Sequence, residues 1–237
     1  MTKPVIYKAL FGNYDLLPKE PSKELQEHFR FILITSSEVE IKGWEVKYFD
    51  LKNNILSNRK AKFSPWDFFD SDNSFYIDGH VSLGKNFLSL AKELLNSNES
   101  FAVLRHRDGG NIADELYRCL DNGKINRNEF KRFLEMKPDL SKASVECGFI
   151  YRNHKILKKD TQSEVWWNLF CDEVMRDQLL VHHSFKNTNN EIFVIDSFFN
   201  SSDDFLVVGV HKNARIKNFF KRFKKAFRII RTGYSLR

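Results

Sequence analysis

The stretch FYIDGHVSL, Phe75 to Leu83, decides how the fold is read. Phe75, Tyr76 and Ile77 form a short apolar run of the kind that makes a buried strand. An aspartate, a glycine and a histidine follow at once. A carboxylate at the end of a strand has a specific meaning in open α/β sheets, where ligands bind beyond the carboxyl ends of the strands. The remainder of the chain shows whether it belongs to that class.

Upstream, PVIYKA (4–9) reads as a first strand and stops at the turn-like Phe11-Gly12-Asn13-Tyr14-Asp15. HFRFILIT (28–35) reads as a second strand and GWEVKYF (43–49) as a short third. Residues 58–69 read as a helix interrupted at Pro65. Downstream, 83–95 carries Phe87, Leu88, Leu90, Ala91, Leu94 and Leu95 at helical spacing, and 101–104 is another strand. Helices are expected over 112–120 and 127–137, a strand over 146–151 and one long helix over 163–180. Strands and helices alternate, which predicts an α/β fold with a mostly parallel or mixed central sheet covered by helices.

The 237 residues are enough for one sizeable core, and 42% of them are hydrophobic. Cys119, Cys147 and Cys171 are too far apart in sequence for a zinc knuckle or a redox dithiol. Nowhere do 18 apolar residues run together, so no helical span is expected, and MTKPVIYKALFGNY lacks the pattern of a signal peptide. The reading is therefore cytoplasmic. No GxGxxG or Walker A loop is present.

The net charge of +7 is not spread evenly. From His211 onward there are 10 Lys or Arg and no acid, leaving 28 basic against 31 acidic residues before it. A slightly acidic body argues against a nucleic-acid partner, which would need basic charge spread along a groove. In the tail, Ile216, Phe219, Phe220, Phe223, Phe227 and Ile230 recur mostly at 3- and 4-residue steps among lysines and arginines. This is the pattern of a basic amphipathic helix lying on an anionic membrane surface, the bland alternative being a helix packed on the domain or on a partner. The chain is accordingly divided into a domain over 1–210 and a tail over 211–237, the latter holding the protein on the inner face of the cell membrane.

Four stretches carry the candidate chemistry. Asp78 and His80 can grip one Mn²⁺ or Mg²⁺, while Gly79 lets the backbone approach a diphosphate. In LRHRDGGNIADELYR (104–118), His106 and Arg107 can receive phosphate or sugar groups. Glu115 stands there in the first turns of a helix. In YRNH (151–154), His154 is a candidate third metal ligand. In the stretch from Glu164 to His183, adjacent Trp166 and Trp167 cannot share one helix face, so one is core and the other can stack on a sugar. Arg176, Asp177 and Gln178 form a polar trio beyond them. The bland alternatives are turn formation for Asp78 and His80, a helix cap for Asp114, a surface histidine for His154 and a structural Arg176–Asp177 pair.

Taken in order, these phrases resemble the glycosyltransferase-like family called domain of unknown function 616, whose bacterial members are associated with surface-polysaccharide loci. The resemblance rests on Phe11, Gly12, Tyr14 and Asp15, on Tyr76 to His80, and on His106, Arg107 and Glu115. It continues through Arg152 and His154, then Trp166, Trp167, Arg176, Asp177 and Gln178. It runs from Val5 to Lys186. His80 stands where that family has asparagine, Thr35-Ser36-Ser37 where it has Thr-Asp, and Arg105 to Gly110 departs from its His-Pro form.

The resemblance implies a GT-A-like nucleotide-binding sandwich and transfer of a sugar from a nucleotide-sugar donor to a glycan or lipid-linked acceptor. Phe11, Gly12, Tyr14 and Asp15 would follow the nucleotide. Asp78, His80 and His154 would hold the metal on the diphosphate, with charge added by Arg59, Lys62 and Arg107. His106, Arg107, Trp166, Trp167, Arg176 and Gln178 would meet the substrates. Asp177, and after it Glu115, would orient the acceptor hydroxyl or take its proton. The rival readings are a binding module for nucleic acid or membrane without catalysis, a metal-dependent phosphodiester hydrolase built on the same Asp and His residues, and a structural scaffold.

Overall fold

The computed structural model describes residues 2–12, 15–157 and 161–209. In chain order, β1 is Val5–Leu10, α1 Lys23–His28, β2 Arg30–Thr35, β3 Glu45–Tyr48, α2 Asn54–Phe63 and β4 Asn73–Ile77. There follow β5 Val81–Leu83, α3 Phe87–Asn96, β6 Phe101–Arg105, α4 Ile112–Asp121, α5 Arg127–Glu135 and β7 Val145–Asn153. The last are α6 His154–Leu157, α7 Gln162–Asp172, α8 Asp177–Ser184, β8 Ile192–Ile195 and β9 Leu206–Val208.

Seven strands form one sheet in the order β3-β2-β1-β4-β7-β6-β8. All neighbours are parallel except the two that involve β7, which runs antiparallel between β4 and β6. The sheet is therefore mixed, and its reversal has a consequence for the site. The start of β7 lies at the same sheet edge as the carboxyl ends of β4 and β6. Gly148 O there accepts from Asp78 N at 2.8 Å.

Alternation along β1 sends Val5, Tyr7 and Ala9 to one core, which also receives Phe63, Leu116, Trp166, Phe170 and Leu180. Ile6 goes to the other core, with Phe75, Ile77 and the buried stripe of α3, Phe87, Leu90, Ala91 and Leu94. Each large side chain of that stripe stabilises the fold by about 1.5–3 kcal/mol relative to exposure. The chain is an α/β sandwich with helices on both faces of a mixed sheet.

Three local readings differ. Helix α2 starts at Asn54, because Asn53 Oδ1 caps the amides of Ile55 and Leu56. It stops at Phe63, since Pro65 restricts the residue before it and opens a single 3-10 turn. The expected long helix is two helices, α7 and α8. Between them Val174 is buried, and Met175 N–H donates to Glu129 Oε1 at 3.2 Å. The short antiparallel pair β5–β9 is too brief for period-2 alternation to reveal. Among the described residues, no helix is long and apolar enough to cross a membrane.

Candidate active site

A cleft of about 480 Å³ opens at the sheet edge where β4 and β6 end and β7 begins. The end of β4 supplies Asp78 and His80. The loop after β6 supplies His106, Arg107 and Asp108. Helix α2 contributes Arg59 and Lys62, three residues apart and so on one helix face. Helix α4 contributes Glu115 and Arg118, β7 contributes Glu146, and the break before α8 contributes Arg176, Asp177 and Gln178. Ten of the sequence candidates thus share one cleft: Arg59, Lys62, Asp78, His80, His106, Arg107, Glu115, Arg176, Asp177 and Gln178.

Its first charged centre is Lys62. The ammonium is 2% exposed and lies 2.5 Å from Asp177 Oδ2 and 3.8 Å from Asp78 Oδ1. Arg59 Nε stands 3.6 Å from the same Asp177 oxygen. Burial alone would raise the Asp177 carboxyl, but Arg59, Lys62 and Arg176 outweigh it and hold the group far below its usual range. Burial works against Asp78 too; Lys62, Arg59 and a 2.6 Å hydrogen bond from the Tyr76 hydroxyl keep it ionised. Lys62 is fixed from behind. Its main-chain carbonyl accepts from Arg152 Nη2 at 2.8 Å and from the Tyr7 hydroxyl at 3.2 Å. Arg152 is fully buried, and its guanidinium lies 5.3 Å from the centre of the Phe101 ring.

The second centre surrounds His106. Glu146 accepts two hydrogen bonds from the Arg107 guanidinium, at 2.6 and 3.1 Å, and a third from the Arg107 amide at 3.3 Å, while Glu115 accepts from Arg118 at 3.0 Å. His106 Nε2 stands 3.7 Å from Glu115 and 3.9 Å from Glu146. His106 Nδ1 accepts from the Asp108 amide at 3.2 Å, which leaves the ring proton on Nε2, toward the two glutamates. Burial pulls the His106 pKa down, against the pull of those glutamates. Arg176 Nη2 lies 3.9 Å from Glu115 and hydrogen-bonds Gln178, linking the two centres.

The remaining sequence candidates lie elsewhere. His154 sits at the opposite end of β4 from Asp78, about 13 Å along the strand by strand rise. Its Nε2 is 2.7 Å from Ser74 Oγ, and the ring packs against Trp66 and Phe69. The structure does not bring it to the metal candidates. Trp166 is fully buried, stacked on Phe63 at 4.1 Å, so it meets no ligand. Trp167 lies outside the cleft lining, with Lys60 Nζ 5.7 Å from its ring centre. Phe11 is buried and packs on Phe49. Gly12 adopts a left-handed φ of 68° in the turn after β1. Tyr14 and the tail 211–237 lie outside the described residues. Asp15 and Gly79 line a neighbouring cavity of about 530 Å³ on the α3 face. They pack so closely that a Cβ at Gly79 would collide with the Asp15 carboxylate.

Among the described residues no group of three or more His, Cys, Asp or Glu side chains is arranged to hold a metal ion. Two donors, Asp78 and His80, line the cleft, and Asp78 keeps 29% of its side chain exposed. That donor set fits an ion completed by water and substrate oxygens, as Mg²⁺ sites commonly are.

Sequence reasoning missed Lys8, Glu146 and Arg118. Lys8 is 7% exposed, and burial lowers its pKa to about 8 against the pull of Asp78 and Asp15. Its place in an otherwise apolar strand was the available signal. Glu146 and Arg118 carried none, because only the fold pairs them with Arg107 and Glu115.

No family model and no curated protein matches the chain. Among solved structures it is similar to the WbbM bifunctional glycosyltransferase, with a TM-score of 0.50 and 10% identity over 81% of this chain and 38% of that one. It is also similar to mouse xyloside xylosyltransferase 1, at 0.47 and 7% identity over 82% and 86% of the two chains. A third is the glycosyltransferase GlyE of Streptococcus pneumoniae, at 0.42 and 13% identity over 82% and 45%. This chain thus spans less than half of WbbM and of GlyE. At such identity the WbbM likeness speaks for the fold, a GT-A-like sandwich, and for nothing finer. None of the three is specific to the family called domain of unknown function 616.

Proposed function

We propose that this chain transfers a sugar from a nucleotide-sugar donor to a glycan or lipid-linked glycan acceptor, in surface-polysaccharide synthesis. One observation carries the proposal. Asp78, ending a central strand, and Asp177 with Gln178, opening α8, line one cleft and are bridged by Lys62. That cleft lies where ligands of open α/β sheets bind.

In this reading the nucleoside follows Phe11 to Asp15, and the diphosphate lies over the turn at Asp78. Asp78 and His80 would hold Mn²⁺ or Mg²⁺, without His154. Bound there, such an ion would offset negative charge growing on the leaving diphosphate. Lys62, Arg59 and Arg107 add fixed positive charge to the same cleft. His106, Arg107, Arg176 and Gln178 border the transferred sugar and the acceptor. Asp177 and Glu115 are 3% and 1% exposed, and each is ion-paired. Such groups suit the part of oriented hydrogen-bond acceptors better than that of free bases, and Asp177 is the first choice.

The test is thermal unfolding against a panel of nucleotide sugars, with and without Mn²⁺. A donor present at about 100 times its Kd should stabilise the fold by about 2.7 kcal/mol, in the presence of the ion. A panel with no stabilising member would remove the transferase reading.

The tail composition supports a peripheral location on an anionic membrane, where each exposed base adds about 1 kcal/mol. Deleting 212–237 should abolish sedimentation with anionic vesicles and leave donor binding unchanged. Full retention of vesicle binding would end the membrane assignment.

A further inference from the structure

The turn that carries Asp78 and His80 is held from beneath by a side chain with no part in the chemistry proposed above. Val81 N–H donates to Asp78 O at 3.0 Å and closes a four-residue turn. Lys8 Nζ lies 3.2 Å from Asp78 O, 3.1 Å from Gly79 O and 2.5 Å from Val81 O. The remaining carbonyl, His80 O, accepts from Gly209 N at 2.6 Å. Every carbonyl of the turn therefore has a donor, and three of the four are served by one ammonium.

An ammonium has three N–H groups and no acceptor, so this arrangement uses its full capacity. Three carbonyl oxygens converging on one buried point repel one another unless a cation lies between them. Proteins often fill such a cage with a metal ion. Here β1 supplies the cation covalently, from a side chain on the α3 face that is 7% exposed. The turn is fixed at its entrance as well, by the Asp78 N–H to Gly148 O hydrogen bond.

We propose that Lys8 is a positioning residue whose ammonium acts as a built-in cation, setting the Asp78–Val81 turn so that Asp78 and His80 present their side chains to the cleft together. The proposal rests on reading that turn as the site of the donor's metal and diphosphate. Lys8 itself touches neither.

The test titrates Mn²⁺ alone into the full-length protein, followed by water-proton relaxation, for the wild type and Lys8→Ala. The substitution is expected to weaken Mn²⁺ binding by about 10–100-fold, the usual effect of losing a group that orients a metal ligand. Propylammonium replaces the atoms that Lys8→Ala removes and should restore the affinity. Tetramethylammonium has the charge but no N–H group and should not. Equal Mn²⁺ affinity in wild type and Lys8→Ala would overturn the role of Lys8 and leave the metal reading standing. Absence of Mn²⁺ binding in the wild type would overturn both. Should Lys8→Ala not fold, Lys8→Met keeps the apolar stem without a donor, and the same comparison with the wild type decides.

Discussion

Asp177→Asn is expected to destabilise the protein by about 3 kcal/mol at neutral pH and to slow sugar transfer on the order of 100-fold. Lys62 and Asp177 are almost completely buried, and their charged atoms are 2.5 Å apart. Removing one member of a buried pair leaves the other charge without compensation, which commonly costs about 3–5 kcal/mol. The lower end applies because Asp78 stays 3.8 Å from Lys62 and the amide oxygen of asparagine still accepts a hydrogen bond. The pH dependence separates this cause from loss of packing. Despite burial, Arg59, Lys62 and Arg176 hold the Asp177 carboxyl below its unfolded value, so the folded state binds fewer protons than the unfolded chain. Its contribution is fully present above the unfolded pKa, about 3.9, and is lost as pH falls from there toward the folded pKa. Urea unfolding of the wild type should therefore show a steep loss of stability on acidification and the variant a shallower one, the two curves converging in acid. Parallel curves would place the stabilising charge elsewhere. Unchanged transfer by the variant would remove Asp177 from the acceptor's side of the reaction.

What is legible in the sequence depends on the range of the interaction. Strands β1, β2, β4 and β6 are legible because their apolar runs are bounded by turn residues, and burial on both faces demands such runs. Asp78 was legible as a strand-end residue for the same reason: it ends one of those runs, and the structure puts it in the lining of the cleft. Direction is a different matter. Nothing local in Val145–Asn153 says that β7 runs against its neighbours. Yet that reversal puts Glu146 into the cleft and sends Arg152 and His154 to the far end of the sheet. His154 therefore resembled a metal ligand in sequence and is an aromatic-packed partner of Ser74 in space. The break between α7 and α8 was hidden because neither glycine nor proline marks it. Its stabilising contact, Met175 N–H to Glu129, spans 46 residues. Lys8 shows the converse. Periodicity places it on the α3 face of β1, but only the approach of the Asp78 turn gives a buried lysine there three acceptors.

The two adjacent tryptophans should respond to substitution in opposite ways. Trp166 is fully buried; it stacks on Phe63 at 4.1 Å and meets Phe101 edge-on at 6.1 Å. Its truncation to alanine should cost about 4 kcal/mol, a large share of the roughly 5–15 kcal/mol that holds a typical domain together. The same side chain also reaches the cleft indirectly, because its Nε1–H donates to Asp177 O at 3.2 Å. Trp166→Phe keeps most of the ring packing and removes that donor, so it should cost about 1–1.5 kcal/mol. If the bond helps to seat the first turn of α8, transfer should slow more than this modest loss of stability explains, with kcat falling more than KM rises. Trp167 is half-buried beside Lys60 and does not line the cleft. Trp167→Ala should cost about 1 kcal/mol and leave donor and acceptor KM unchanged. Thermal melts and steady-state kinetics on the three variants decide the matter. A folded Trp167→Ala variant whose acceptor KM rises severalfold would show that Trp167, rather than the charged cleft alone, meets the sugar. The acceptor would then have to approach along the α2–α7 face instead of between the ends of β4 and β6.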